Sequence, residues 1–204
     1  MQKNRLLALV GGLIMLASCA KTFEKSELRP SAQPNTNLLP VLEIKTDTSV
    51  YPPTAKNRKE TDYRESDAKQ LFTSEVNENI IEQTGVKKGY IVMRLSYEDT
   101  KAETLYKVIG FIACIPMALP IFLGAPYGAY TQDLEVEVQI QNNHRDIIKR
   151  YKAQSQDTEY VASWWAYTHN SAIRKAAAEN LKKALQDIRY QINSDAPEIR
   201  AALK

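Results

Sequence analysis

The clearest pattern in the chain is an alternation of apolar and polar residues past its middle. The apolar positions are Leu134, Val136, Val138 and Ile140, and the polar ones are Glu135, Glu137, Gln139 and Gln141. Because successive side chains of a strand point to opposite faces, this alternation predicts a β-strand with one buried and one solvent-facing side. A turn-rich stretch at 142–146 separates it from another strand predicted at 147–153. The pair therefore indicates an antiparallel hairpin.

Two further strands are predicted upstream, with a helix between them. Residues 41–51 and residues 90–97 alternate, and Pro52 and Pro53 end the first run. The second of these strands places Ile91, Met93, Leu95 and Tyr97 on one face. Between the two strands, apolar residues recur at helical spacing and predict an amphipathic helix; they are Ala68, Leu71, Phe72, Val76 and Ile80.

The C-terminal part of the chain predicts one long helix at about 163–192, followed by a short charged tail. Its apolar stripe consists of Ile173, Ala177, Leu181, Ala184, Leu185, Ile188 and Ile192. The elements thus follow the order strand, helix, strand, insertion, strand, strand, helix. This order predicts an α+β fold in which two amphipathic helices cover one face of a mostly antiparallel four-stranded sheet.

An apolar, proline-containing insertion at 108–123 lies between predicted strands 2 and 3. No charged residue occurs between Lys107 and Asp133, and Pro116 and Pro120 interrupt helical hydrogen bonding. The insertion could form a hairpin or bent helix that contacts the membrane or a partner, or a helix buried over the domain's own sheet. A single membrane crossing is disfavoured because it would separate the halves of the sheet. The predicted contact residues are Phe111, Ile112, Ile115, Pro116, Met117, Leu119, Pro120 and Phe122.

The first 18 residues have the pattern of an export signal. Lys3 and Arg5 precede an apolar run at 6–16, which is too short to be a permanent membrane span, and small residues follow it. The sequence Leu16-Ala17-Ser18-Cys19 resembles the lipobox of bacterial lipoproteins. The resemblance implies removal of 1–18 and a diacylglycerol on the thiol of Cys19. Acyl chains there would hold the mature protein on a membrane.

The residue after the predicted lipidated cysteine is Ala20, not the Asp associated with inner-membrane retention in enterobacteria. The resemblance therefore implies attachment to the outer membrane, facing the periplasm. Residues 19–40 are predicted to be the lipidated cysteine and a flexible tether, because the stretch is polar, contains three prolines and has no apolar period. Residues 41–204 are predicted to form a single domain. With this export signal and element order, the domain loosely resembles TolB amino-terminal modules and auxiliary lipoproteins of the envelope.

Charge and candidate catalytic residues change this picture little. Removal of Lys3 and Arg5 leaves 25 basic against 24 acidic residues, so we expect no nucleic-acid binding. His144 and His169 are predicted in a turn and near a helix start, and Cys114 lies in the insertion, where burial disfavours the thiolate. The sequence contains no nucleotide-binding, nucleophile-elbow or paired-cysteine zinc motif. We expect no enzyme activity, no cofactor and no metal site, and an envelope hydrolase using a histidine is the remotest alternative.

Three aromatic residues, Trp164, Trp165 and Tyr167, are predicted at the start of the final helix. Such side chains bind lipids, glycans or protein partners, and they also pack in cores. We therefore predict a non-enzymatic, membrane-anchored periplasmic module that contacts an envelope protein during assembly, transport or maintenance. The alternative is a lipid-handling protein in which the insertion and these aromatics line a groove for acyl chains.

Overall fold

A computed structural model describes residues 21–30, 37–47, 58–103, 126, 128–162 and 166–203 of the chain. Its elements are, in order, a short 3-10 helix (Lys25–Leu28), β1 (Glu43–Asp47), α1 (Arg58–Asn79), β2 (Gly89–Glu103), β3 (Gly128–Asn142), β4 (Ile147–Val161) and α2 (His169–Ala202). The four predicted strands and the two predicted helices are all present. This confirms the α+β class.

The four strands form one mixed sheet in the order β1-β2-β3-β4. β1 runs parallel to β2, with Ile44 opposite Ile91, whereas β2 and β3, and β3 and β4, are antiparallel pairs. The prediction of a mostly antiparallel sheet is therefore corrected to a mixed sheet. The reason is the connection between β1 and β2, because a crossover that contains a helix returns the chain in its original direction.

β2, β3 and β4 each contain 15 residues and are longer than the sequence predicts. Most of the additional residues are polar, so the alternation that marks a half-buried strand is lost there. A register shift between Leu95 and Tyr97 also places Tyr97 opposite Glu135, a position of the polar face. The side chain of Tyr97 lies outside the described ones, so the face that it shares stays a prediction.

The core lies between the sheet and both helices, which cover the same face of the sheet. The sheet contributes Ile91, Met93, Leu95, Leu134, Val136, Val138, Ile140, Tyr151 and Ala153. The helices contribute Ala68, Leu71, Phe72, Val76, Ile80, Leu181, Ala184, Leu185, Ile188, Ile192, Ala196 and Ile199. The apolar positions predicted for α1 and β3 are all in this core, where their removal from water favours folding.

α2 has 34 residues and both starts and ends later than the sequence predicts. The predicted charged tail after 192 is wrong, because the helix continues there with the buried residues Ala196, Ile199 and Leu203. Their spacing of three and four residues keeps them on the face of the helix that contacts the core. Pro197 lies inside this last part of the helix.

The face of the sheet opposite the helices carries a cross-strand row of alternating charges. Asp47, Arg94, Glu137 and Lys152 are register neighbours on β1, β2, β3 and β4. Nε of Arg94 lies 3.1 Å from Oδ2 of Asp47, and Nζ of Lys152 lies 3.5 Å from Oε2 of Glu137. Opposite charges on neighbouring strands stabilise the register. The row agrees with the solvent-facing side predicted for the hairpin.

The stretch predicted as a tether packs against the domain wherever the structure describes it. Residues 21–30, which we call the N-terminal strap, bury Leu28 to 2% exposure, and Leu39 is 0% exposed. The backbone N–H of Leu39 donates to the carbonyl of Ile80, and its own carbonyl accepts from the N–H of Glu82, both at 2.8 Å. The folded domain therefore begins before residue 41. The leucines of this stretch follow no apolar period, although apolar side chains of this size are usually buried.

Candidate functional site

Three strands end together on one side of the sheet. Glu103 at the end of β2 pairs with Ala129, and Gly128 at the start of β3 pairs with Val161 at the end of β4. The apolar insertion therefore leaves and re-enters the sheet at neighbouring positions. Neighbouring strands lie about 5 Å apart, whereas the hydrocarbon core of a bilayer is about 30 Å thick. A single membrane crossing between β2 and β3 is therefore still disfavoured, and residues 108–123 themselves lie outside the described residues.

The N-terminal strap joins the same side of the sheet. Tyr167 forms one bridge to the end of β4 and a second bridge to Lys21. The backbone N–H of Lys21 donates to the carbonyl of Ala166 at 3.2 Å, and the N–H of Thr168 donates to the carbonyl of Lys21 at 3.2 Å. Backbone hydrogen bonds thus attach the chain to the domain two residues after Cys19.

We call this region the Tyr167 end of the domain, and the opposite side, with the turn at 142–146, the Asn142 end. The flanks of all three predicted contact elements meet at the Tyr167 end: the chain after the lipobox, both borders of the insertion, and the segment that follows β4. The predicted residues that lie outside the described ones are Cys19, Phe111, Ile112, Ile115, Pro116, Met117, Leu119, Pro120, Phe122, Trp164 and Trp165.

Tyr167 is described, and it contacts the strap. Its side chain is half-buried, and its hydroxyl donates a hydrogen bond to Oε2 of Glu27 at 2.9 Å. Burial raises the pKa of Tyr167, and the bond to the Glu27 carboxylate raises it further. The hydroxyl of Tyr167 therefore holds the strap beside the start of α2. From the sequence, Tyr167 is a candidate for contact with a ligand or partner, or for packing in the core.

Lys175 forms an ionic network with the strap. Its Nζ lies 2.9 Å from Oε2 of Glu27 and 2.7 Å from Oε1 of Glu179, and Nζ of Lys182 lies 2.9 Å from the same Glu179 oxygen. Burial opposes the charged form of Lys175, but its two carboxylate partners outweigh burial and raise its pKa. Burial also acts to raise the pKa of Glu27. The hydrogen bonds of Glu27 outweigh burial and lower this pKa, and the bond with Lys175 has the largest effect among them. The network keeps these groups charged and ties the strap to α2.

Arg174 connects the strap to both helices. Its Nη2 donates to Oδ1 of Asp67 at 2.6 Å, and its Nε donates to Oδ2 of the same carboxylate. The guanidinium carbon lies 4.6 Å from the centroid of the Phe23 ring. The bidentate pair fixes the geometry of the guanidinium, and the ring adds a cation–π contact from the strap.

A small cavity lies beneath the strap, between the helices and the sheet. Leu28, Leu71, Gln132 and Arg174 are among the residues that line it, and its volume is about 20 Å³. A space of this size holds about one water molecule, whereas pockets for small molecules begin at about 300 Å³. Within the described part of the chain, this cavity is too small to be the predicted groove for acyl chains.

The described histidine side chain lies far from these contacts. His144 is exposed in the turn at the Asn142 end, where Oδ1 of Asn142 accepts the backbone N–H of His144 and of Asp146, each at 2.9 Å. The side chains of His169 and Cys114 lie outside the described set. Among the described residues, no group of three His, Cys, Asp or Glu side chains is placed to bind a metal. No helix in this part of the chain is long and apolar enough to cross a membrane.

A buried ion pair that the sequence reading missed joins α1 to α2. Nη1 of Arg189 donates to Oε1 of Glu75 at 3.0 Å, and Nδ2 of Asn79 donates to Oε2 of Glu75 at 2.9 Å. Burial raises the pKa of Glu75, although the charge of Arg189 acts against this. The signal was present in the sequence, because Arg189 lies four residues after Leu185 and three before Ile192, inside the apolar stripe.

The chain is similar to two crystal structures of bacterial proteins. A minor lipoprotein from Acinetobacter baumannii aligns with a TM-score of 0.37 and 15% identity, over 75% of this chain and 93% of that one. A candidate lipoprotein from Caulobacter crescentus CB15 aligns with a TM-score of 0.33 and 11% identity, over 79% of this chain and 92% of that one. No protein-family model and no curated protein matches the chain. Likenesses with identities and TM-scores this low carry no argument about function.

Proposed function

We propose that the chain is a lipid-anchored protein of the bacterial envelope that acts as a non-enzymatic interaction module. The observation that carries the proposal is the position of Lys21. Backbone hydrogen bonds hold it at the Tyr167 end, two residues after the predicted lipidation site Cys19. Glu103 and Gly128, which border the apolar insertion, lie at the same end. A lipid on Cys19 and the insertion would therefore reach the same membrane from the same side.

The insertion is proposed to enter this membrane as an apolar loop. Four pairing steps separate Lys21 from Glu103 across the end of the sheet, which corresponds to about 20 Å. Residues 108–123 carry no charge, and both borders of the insertion are on one side of the bilayer in this arrangement. A loop that turns within the membrane at Pro116 and Pro120 satisfies this topology, which a single crossing does not. Two attachment points would hold the domain more firmly than one.

Lipidation is tested by mass spectrometry of the protein purified from bacterial membranes. The expected mature protein begins at Cys19 and carries acyl chains on that residue. Cys19→Ser should abolish acylation and leave residues 1–18 attached, whereas the control Cys114→Ser should change neither property. A purified protein without acyl chains would remove the anchor from the proposal.

Membrane insertion is tested with residues 20–204, which lack the lipid, and with a version in which a short polar linker replaces 108–123. In vesicle flotation, the intact form should float and the trimmed form should stay at the bottom, with equal melting temperatures. If the intact form does not float and trimming unfolds the domain, residues 108–123 belong to the core. In that case the membrane role of the insertion is wrong.

The proposed role as an accessory module requires an envelope protein as partner, and the proposed location is the outer membrane, facing the periplasm. Fractionation of the two membranes tests the location, and crosslinking in cells followed by purification tests the partner. The Cys19→Ser variant is the control, because without the lipid it should be lost from the outer-membrane fraction and should lose the crosslinks. If the wild-type protein crosslinks to nothing above background, the accessory role is wrong.

A further inference from the structure

We infer that the lipidated domain sits directly against the bilayer, with its Tyr167 end toward the lipid and its Asn142 end away from it. The inference rests on the proposed lipid at Cys19 and adds an orientation to it. The surface involved is the end of the domain that contains Lys21 and Tyr167, and its partner is a lipid bilayer.

The length of chain between the lipid and the domain is the first part of the argument. Lys21 is fixed by hydrogen bonds to Ala166 and Thr168, and it follows Cys19 by two residues. An extended residue spans at most about 3.6 Å, so the Cα atoms of Cys19 and Lys21 are within about 7 Å of each other. Acyl chains on Cys19 lie in the bilayer, so the docked residue lies at its surface. A tether of 20 flexible residues would impose no such restriction.

The chain between Cys19 and the domain cannot become longer unless the strap loses its own contacts with the domain. Near the start of α2, Nζ of Lys175 lies 2.9 Å from the Glu27 carboxylate. Near the other end, Nη2 of Arg200 donates to the carbonyl of Leu38 at 2.6 Å. Lys175 and Arg200 lie about 38 Å apart along α2. The strap is thus held near the start of the helix, and Leu38 is held near its end.

α2 also defines the orientation of the domain relative to the bilayer. α2 starts beside Tyr167, and near its C-terminal end Glu198 lies 2.9 Å from Lys149 at the start of β4. The Asn142 end is thus the end that lies farthest from the lipid, at about 50 Å along the helix. Val86 lies near this end and is 78% exposed, and Tyr160 near the Tyr167 end is 48% exposed. These two positions accept probes without disturbing the core.

Energy transfer to the bilayer measures the orientation. The full lipidated protein with Cys114→Ser is reconstituted in vesicles that contain an acceptor dye at the lipid surface. A donor is attached to Val86→Cys in one sample and to Tyr160→Cys in the other; Cys19 does not react because its thiol carries the lipid. Transfer should be at least threefold greater from position 160. Equal transfer, or greater transfer from position 86, overturns the inference.

Two controls separate this inference from the proposed function. A protein that is recovered without acyl chains and does not bind vesicles contradicts the proposed anchor and leaves no lipidated species to orient. In the form whose residues 108–123 are replaced by a short polar linker, a flexible Gly/Ser linker of 20 residues between Ala20 and Lys21 should keep the lipid and the fold and lower the transfer from position 160. If this linker leaves the transfer unchanged, the short link does not set the orientation, and the inference is wrong.

Discussion

The two halves of α2 are held to the domain by different kinds of contact. In the part of the helix from Leu181 onward, which we call the core half, α2 places Leu181, Ala184, Leu185, Ile188, Ile192, Ala196 and Ile199 in the main core. In the part before Leu181, which we call the strap half, the buried residues are Ala172, Ala176, Ala178 and Asn180. The strap half is joined to the N-terminal strap through the charged side chains of Arg174 and Lys175.

The difference predicts where the molecule opens. Apolar burial contributes about 25 cal/mol per Å², so alanines contribute less than leucines and isoleucines. Asn180 makes hydrogen bonds instead: its Nδ2 donates to the carbonyl of Gln132 at 2.5 Å, and its carbonyl accepts from Oγ of Ser155 at 2.8 Å. Such bonds replace bonds to water and add less net stability. We therefore expect the strap half to open locally while the core half stays folded.

The largest expected effect is a cavity in the main core, to which Phe72 of α1 and the core half of α2 both contribute. Phe72→Ala should lower the free energy of unfolding by about 4 kcal/mol, because Phe72 is 0% exposed and contacts the core on all sides. Chemical denaturation measures the loss. Leu28→Ala is the corresponding large-to-small change in the strap. The loss of unfolding free energy in this variant cannot exceed the free energy of strap docking, because the strap can detach from the domain instead. We expect about 2 kcal/mol or less. Equal losses for the two variants would contradict the comparison.

The two Arg–carboxylate pairs between α1 and α2 provide a second test. Glu75→Ala should cost about 3 kcal/mol or more, because it leaves Arg189, which is 2% exposed, without its charge partner. Asp67→Ala should cost about 1 kcal/mol, because the Arg174 side chain is 26% exposed and keeps contact with water. Denaturation midpoints at neutral pH distinguish them. A greater loss of unfolding free energy for Asp67→Ala than for Glu75→Ala would mean that the stronger ion pair lies in the strap half, which would contradict the comparison.

Removal of one lysine should loosen the strap with little effect on global stability. Lys175→Met breaks the contacts to Glu27 and Glu179 and should weaken docking by about 1.4 kcal/mol, which corresponds to tenfold faster exchange. The reporter is hydrogen exchange of the Thr168 amide, which donates to the carbonyl of Lys21. The control is Lys183→Met, because Lys183 is 53% exposed and pairs at the surface. Equal exchange in the two variants would refute a role for Lys175 in docking.

The stabilities of the strap half and the core half should change in opposite directions when the pH is lowered. Glu27 and Glu179 have pKa values below the ordinary 4.5, because hydrogen bonds from Lys175 outweigh burial, so their contribution is lost as pH falls below 4.5. Burial raises the pKa of Glu75, so the folded state favours its protonated form, and this proton-linked stabilisation is full below 4.5 and is lost as pH rises through the raised value. The pairing of the charged carboxylate with Arg189 at neutral pH is a separate contribution. Acidification below 4.5 should therefore speed exchange in the strap several-fold before it does so in the core half. Simultaneous opening of both halves would contradict this.

The sequence predicted those parts of the fold in which burial repeats at a regular period. The residues of α1 and β3 that alternate or recur at helical spacing are in the core as expected. The parallel pairing of β1 depends on where α1 crosses, which no local pattern contains. Leu28 and Leu39 lie in a polar stretch without an apolar period, and only the folded structure shows that they are buried. Arg189 is charged, so its position within the apolar stripe was overlooked.

The sequence predicts the individual segments of the candidate site but not their arrangement in space. The lipobox and the insertion at 108–123 are recognisable from their residue types alone. Their relation depends on the pairing of Glu103 with Ala129 and on the bridge between Lys21 and Tyr167, which join positions far apart in the chain. Sequence periodicity reports neighbours within one helix or strand, so it does not report such pairs.

The strap also sets the order in which the chain can complete its fold. Leu38 accepts its hydrogen bonds from Arg200, 162 residues later, and Glu27 accepts from Tyr167, 140 residues later. The N-terminal strap therefore cannot dock before the last helix has been synthesised. Contacts of such long sequence separation are slow to form. A newly synthesised chain would thus pass through a period with the strap free, and the strap would dock only after the C-terminal helix had formed.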